Sequence, residues 1–363
     1  MSFPKKIAVI GANGFVGSRI VETFHLAGLC EVVPVVRGVN ALPRLSRFDL
    51  GWKLADARKP ESLAAALAGC DAVVHAVVGD PRVIEAAAAA LVPAAVKAGI
   101  RRVVYLSTAS VHGQNPAPGT TEDSPLSDAQ EIDYNNAKVR AERVLFADAA
   151  RHSVELIALR PSIVFGPRDR WVTTLADELQ RGVAWLINDG SGICNTVHVD
   201  NLVHAVRLSL SAPASATGHA YLVGDGELVT WADFYRETAV GLGIDPQSIH
   251  RIPMPAFPAK SWLSKLDALR ASPTAQKLIA QVPRVLKGVA KGAIKGLSPE
   301  PEYSSWYLPR GAGPSPSREM VLLQQCGYRL PSAKAERLLG YQPPVSFATG
   351  LKGTLDWLKW TRE

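Results

Sequence analysis

Ile7-Ala-Val-Ile-Gly11-Ala-Asn13-Gly14-Phe15-Val16-Gly17 is the stretch on which the fold turns. Residues 6–10 read as a buried strand, and an apolar, helix-compatible segment runs over 15–27. Three glycines stand between them with G-x-x-G-x-x-G spacing. Glycine there allows a tight strand-to-helix turn, close helix–sheet packing and close backbone approach to a pyrophosphate, which the helix N-terminus then faces. A purely structural glycine turn would look the same. The features that separate the two lie further along the chain.

Apolar runs of strand length recur at 32–36, 72–78, 103–107 and 156–159, with alanine-rich helical stretches between them. Strands alternating with helices imply parallel βαβ units, and near-continuous apolarity implies strands covered on both faces. The fold class is therefore α/β, a Rossmann-type doubly wound parallel sheet. The organisation expected is a dinucleotide-binding domain over 1–165 and a smaller substrate-binding region over 166–363. That region interleaves with returns to the main sheet, a helix is expected over 230–242, and a basic helical insertion is expected at about 258–315.

The chain has 363 residues, 47% of them hydrophobic and 20% charged, as in ordinary globular proteins. Its four cysteines form no C-x-x-C pair, so neither zinc nor a disulfide framework is indicated, no metal is expected, and a reducing cytoplasm fits. No spanning helix is expected. The alanine-rich stretch 86–96, bracketed or broken by Glu85, Pro93 and Lys97, reads as a buried or half-buried helix. Eight basic residues against Asp267 alone, across 260–295, account for the whole net charge of +7. The balance elsewhere argues against a nucleic-acid-binding face. Apolar positions 286, 289, 290, 293, 294 and 297 have helical spacing, with Arg284, Lys287, Lys291 and Lys295 opposite. Such a segment fits a lid or packed helix, a peripheral membrane contact through 260–297, or a solvated face.

Tyr134-Asn-Asn-Ala-Lys138 carries the chemistry. A Tyr and a Lys four apart share a helix face, and an ammonium beside a phenol favours the phenolate, so a lowered tyrosine pKa is expected. The segment Val104-Tyr-Leu-Ser107-Thr108-Ala-Ser110 precedes it and supplies hydroxyls that can hold a substrate oxygen. Together these groups equip a site to exchange a proton while hydride moves at a C–OH or C=O carbon. His198, Asp200 and His75 read as structural.

Several landmarks occur in one order: the glycine turn, Asp56-Ala57, Ala72-Val-Val-His75-Ala76, Tyr105-Leu-Ser-Thr-Ala-Ser-Val-His-Gly113, Tyr134-x-x-x-Lys138, Leu159-Arg-Pro-Ser-Ile-Val-Phe-Gly-Pro167, Val197-His-Val-Asp-Asn201 and Ala335-Glu-Arg-Leu-Leu-Gly-Tyr-Gln-Pro343 with Gly350. In these the chain resembles the extended short-chain dehydrogenases/reductases of the NAD-dependent epimerase/dehydratase family. The resemblance implies Tyr134 as catalytic acid/base, Lys138 holding the nicotinamide ribose and tuning Tyr134, and Thr108 as the catalytic hydroxyl, with Ser107 as its fallback. It implies cofactor contacts from Gly11, Asn13, Gly14, Phe15, Val16, Gly17, Asp56, Ala57, Ala76, Ser107, Arg160, Pro161 and Ile163, besides Tyr134 and Lys138. His112 stands where the family usually has tyrosine. A homodimer through helices near 85–98 and 134–150 is also implied.

Arg37 ends the second strand where an acid would hold the ribose 2′-OH of NAD. Arginine there accommodates a 2′-phosphate, which favours NADP(H), with NAD(H) as the alternative. Three functions follow. The first is an oxidoreductase moving hydride at a secondary alcohol or ketone of a small-molecule substrate, which Arg37 and the Leu-Arg-Pro-Ser-Ile-Val segment favour. The second is a nucleotide-sugar epimerase with retained NAD, for example in polysaccharide synthesis. The third is a non-catalytic cofactor-binding sensor. The family's 4,6-dehydratases carry Asp-Glu after the catalytic Thr, whereas this chain has Ala109-Ser110.

Overall fold

The computed structural model describes residues 2–257 and 313–362. The basic segment 260–297 lies outside the described residues, as does most of the expected insertion. Seven parallel strands form the central sheet: β1 (Lys6–Ile10), β2 (Glu31–Val36), β3 (Lys53–Leu54), β4 (Ala72–His75), β5 (Arg102–Leu106), β6 (Glu155–Pro161) and β10 (His219–Val223). Their spatial order is β10-β6-β5-β4-β1-β2-β3, so the chain winds outward in both directions from the β1/β4 junction. That reversal opens a crevice at the carboxyl ends of β1 and β4, where open α/β sheets take their ligands.

Both faces of the sheet are covered, as its apolar strands require. On one side α1 (Phe15–Leu26) and α6 (Val199–Ser211) bury Ile20, Phe24, Leu202 and Val206 against β1 and β5. On the other, α2 (Pro60–Leu67), α3 (Pro81–Lys97) and α4 (Asp133–His152) pack in a layer. Buried Ala87, Ala88, Ala94 and Ala95 on α3 and Ala137 and Ala141 on α4 keep this layer thin, bringing α4 close to the strand ends. The alanine-rich stretch is thus a buried helix. Pro93 lies on the exposed side of the continuous helix, where it has no N–H to give the Ala89 carbonyl.

The fourth strand stops at His75 rather than running to 78. The Ala76 N–H still bonds to the Ile10 carbonyl at 2.9 Å, but Val78 is exposed and turns to the crevice. Pro34 sits inside β2 without loss. The Val35 carbonyl faces β1, accepting from the Gly11 N–H at 3.2 Å, so the Pro34 nitrogen faces outward, before β3 begins at Lys53.

The remaining elements form a second layer over the crevice. They comprise β7 (Ile163–Phe165) paired with β9 (Thr196–His198), β8 (Trp185–Ile187) paired with β11 (His250–Ile252), and α5 (Arg170–Arg181). α7 (Trp231–Gly241), α8 (Arg318–Gln324) and α10 (Phe347–Arg362) complete it, while α9 (Ala333–Leu339) packs back against β10 and α6 at the edge of the central sheet. Phe165, Trp231, Phe234 and Phe347 form its core. Among the described residues no helix is long and apolar enough to cross a membrane.

Candidate active site

Gly11 has φ +80°, and a Cβ there would stand 2.8 Å from the Ala76 carbonyl oxygen; a Cβ on Gly17 would stand 2.2 Å from the Gly11 carbonyl. Only glycine fits either position, because both obstacles are backbone. Gly14 is the N-cap of α1 and provides no side-chain cap, so the first N–H groups of the helix face the crevice. An uncapped twelve-residue helix end behind a glycine turn fits a dinucleotide pyrophosphate, with Gly11, Asn13, Gly14, Phe15, Val16 and Gly17 around it. Arg44 donates to the Asn13 carbonyl at 3.2 Å and places a cation on the same side.

A cavity of about 390 Å³ runs from this turn across the carboxyl ends of the strands. Gly14, Phe15 and Val16 line one end, followed by Ala76, Ser107, Thr108 and Tyr134. Pro161, at the end of β6, adjoins a wall that Ile163, Trp171, Leu323 and Leu330 form on the opposite side. Thr108 shares a 2.9 Å hydrogen bond with the Ser110 hydroxyl and also accepts from the Ser110 N–H at 3.2 Å, which holds its side chain at the end of β5.

Tyr134 lies in the first turn of α4, and Lys138 follows one turn later, fully buried. The Lys138 Nζ donates to the Leu106 carbonyl at 2.8 Å and the Tyr105 hydroxyl at 3.4 Å, and lies 6.0 Å from the Tyr134 ring centre. Burial pushes the Lys138 pKa down to about 7, against the opposing pull of Glu142. The lowered tyrosine pKa expected from the Tyr/Lys spacing is not found. Burial pushes Tyr134 up to about 12 and the Glu319 carboxylate adds to this, while a hydrogen bond with Thr108 pulls the other way. Helical spacing puts Lys138 on the right face, but its ammonium is drawn to the β5 carbonyl.

Other expected residues take different places. The Ser107 hydroxyl donates to Glu142, so it is engaged although it borders the cavity. Arg160 points away from the cavity: its Nε and Nη2 donate to Glu142 at 3.1 and 2.6 Å, and both side chains are nearly inaccessible. Arg160 also donates to the Glu122 carbonyl at 2.8 Å and faces the His112 ring at 3.1 Å. Burial and Arg160 together lower the His112 pKa to about 4, so it stays neutral. The Asp56 carboxylate takes two bonds from the Arg58 guanidinium, at 2.9 and 2.8 Å, and one from the Arg58 N–H at 3.0 Å, which hold it down to about 2. Arg37 is exposed at the end of β2, followed by Gly38. His198 and Asp200 are structural: the Asp200 N–H donates to the His198 ring, and Asp200 takes two bonds from Arg19.

Three participants were invisible as motifs. Glu142 sits one turn beyond Lys138 and joins α4 to Ser107 and Arg160. Glu319 and Gln114 reach the cavity from distant parts of the chain, linked by a 3.2 Å hydrogen bond.

A doubly wound sheet with this glycine turn, with Thr108 and Tyr134 on one cavity wall and Lys138 buried one helical turn behind, has the arrangement of an extended short-chain dehydrogenase/reductase. Within that class the chain belongs to the NAD-dependent epimerase/dehydratase family, whose model matches residues 7–224. It is 31% identical over 265 residues to a 2-alkyl-3-oxoalkanoate reductase of Stenotrophomonas maltophilia, covering 66% of this chain and 76% of the relative. A UDP-glucose 4-epimerase of Vibrio cholerae is 29% identical over 256 residues, with coverage of 66% and 76%. A dTDP-glucose 4,6-dehydratase from Streptomyces venezuelae, solved with NAD and TYD bound, superposes with a TM-score of 0.68 at 22% identity. That match covers 98% of both chains and supports the fold alone.

Proposed function

We propose that this protein is a dehydrogenase/reductase that moves hydride between NADP(H) and a secondary alcohol or ketone carbon of a largely apolar substrate. The observation that carries this is the cavity wall. Around Thr108 and Tyr134 it is built mainly from Phe15, Val16, Pro161, Ile163, Trp171 and leucines, and Arg170 is its one cation among the described residues. A nucleotide diphosphate would need several donors and positive charges there, whereas an acyl or ring ketone needs apolar surface.

Tyr134 supplies the proton. With its pKa raised to about 12, the phenol is protonated at neutral pH and stands ready to give its proton to a carbonyl oxygen during reduction. The Thr108 hydroxyl orients that oxygen. Lys138, tied to the Leu106 carbonyl, lies behind Tyr134 and in its protonated form opposes the negative charge that develops there. A bound nicotinamide supplies the hydride. Arg37, exposed just after β2, and Arg44, bonded to the glycine turn, are cations that suit a 2′-phosphate and support the choice of NADP(H). The similarity to a 3-oxoalkanoate reductase supports the same reading.

The test offers the protein NADPH with a 2-methyl-3-oxo ester, and separately offers UDP-glucose. Ketone-dependent consumption of NADPH is expected. Conversion of UDP-glucose to its C4 epimer, with equimolar NAD released on denaturation, would replace this reading with the epimerase.

A further inference from the structure

Arg170 is the one cation on the wall of a largely apolar cavity among the described residues, and it opens α5, in the second layer. Among the described residues its guanidinium makes no hydrogen bond and no ion pair. Neighbouring arginines are engaged. Arg168 lies 3.6 Å from Glu22, and Arg181, at the far end of the helix, donates to the Asp177 carbonyl at 3.1 Å. The nearest acid in sequence is turned inward: Asp169, 3% exposed, caps α5, accepting from the Val172 N–H at 2.7 Å and the Gly166 N–H at 2.9 Å. Glu319, the acid on the cavity wall, is bonded to Gln114 at 3.2 Å and not to Arg170. A cation in the first turn of a helix also opposes the helix dipole. Arg170 thus gives the fold no pairing and sits where its charge is disfavoured, yet it lines the cavity that holds Thr108 and Tyr134.

We propose that Arg170 is a specificity-determining residue that takes a carboxylate of the substrate, which is then an otherwise apolar oxo or hydroxy acid with a single negative charge. This rests on the dehydrogenase/reductase reading, which makes Tyr134 the marker of the reacting carbon. A guanidinium presents two parallel N–H groups that match the two oxygens of a carboxylate, and such charge-assisted pairs are the strong ones. One cation balances one carboxylate. A phosphate monoester, with close to two negative charges at neutral pH, would be left half-compensated on this wall. The apolar remainder of the cavity takes the rest of the molecule, while Arg170 on the second-layer side and Tyr134 on the sheet side hold its two polar groups.

Binding tests this separately from turnover. The full-length protein, saturated with NADPH, is titrated calorimetrically with 3-hydroxyoctanoate and with its methyl ester, as wild type, Arg170→Gln and Arg170→Lys. The dinucleotide keeps the acid out of the phosphate positions, and a reduced nicotinamide cannot react with an alcohol. Wild type is expected to bind the acid about tenfold more tightly than the ester, the size of one charge-assisted pair. Arg170→Gln should bring that ratio to about one by losing affinity for the acid alone. Arg170→Lys keeps the charge without the fork and should fall between the two. Equal weakening of both ligands would mean a structural role and overturns the proposal. So does an unchanged ratio in Arg170→Gln, or a wild type that favours the ester or binds neither ligand. Failure of ketone turnover in the separate NADPH assay would sink the reductase reading instead.

Discussion

His75 ties the fold to acid pH. It ends β4 only 1% exposed, and its ring lies 5.4 Å from that of Tyr105. Neither ring nitrogen has a hydrogen-bond partner among the described residues. Burial, with Lys138 nearby, pushes its pKa down to about 3. An unfolded histidine titrates near about 6.5. Between these values the unfolded chain binds a proton that the folded chain refuses, so the stability from neutral His75 is present above about pH 6.5 and lost as pH falls. From about pH 7.5 to about pH 4.5 the loss amounts to two pH units of linkage, or about 3 kcal/mol. His75→Phe keeps the ring contact with Tyr105 and removes the titrating group. Urea unfolding followed by circular dichroism at both pH values should show the variant losing about 3 kcal/mol less than wild type. His112 and His198, whose pKa values are also lowered, titrate alike in both proteins and cancel. The same pH dependence in wild type and variant would refute the reasoning.

Three further outcomes are expected. Tyr134→Phe should lower kcat by about 10²- to 10⁴-fold, the usual contribution of a general acid, while dinucleotide binding measured by fluorescence survives. Arg37→Asp should shift the kcat/KM ratio from NADPH towards NADH; an unchanged ratio would mean that Arg37 does not meet a 2′-phosphate. Glu142→Ala leaves the Arg160 guanidinium buried without its acid and should cost about 3–5 kcal/mol in urea unfolding, whereas a loss below about 1 kcal/mol would show that the pair is not the anchor described.

The sheet was legible because parallel strands must be apolar on both faces, and because only glycine clears the Ala76 and Gly11 carbonyls at Gly11 and Gly17. Tyr134 and Lys138 were legible from helical spacing. Their electrostatics were not. Whether a lysine lowers a tyrosine pKa depends on where its ammonium bonds and how deeply the phenol is buried, and both were settled by the packing of α4 on β5. The ion pair of Glu142 with Arg160 joins α4 to β6, and the reach of Glu319 depends on α8 returning to the crevice; neither contact has a local pattern. Arg160 carried a role by resemblance, but its side chain points away from the cavity that Pro161 and Ile163 line.

The most direct test of hydride transfer is isotopic. The protein is incubated with a 2-methyl-3-oxo ester and NADPH deuterated at the transferring face of the nicotinamide, and the mass of the product is read. Deuterium on the new carbinol carbon, in a product that Tyr134→Phe forms about 10²- to 10⁴-fold more slowly, is the expected result. A product without label, or label that stays on the nicotinamide while the substrate is converted, would contradict it.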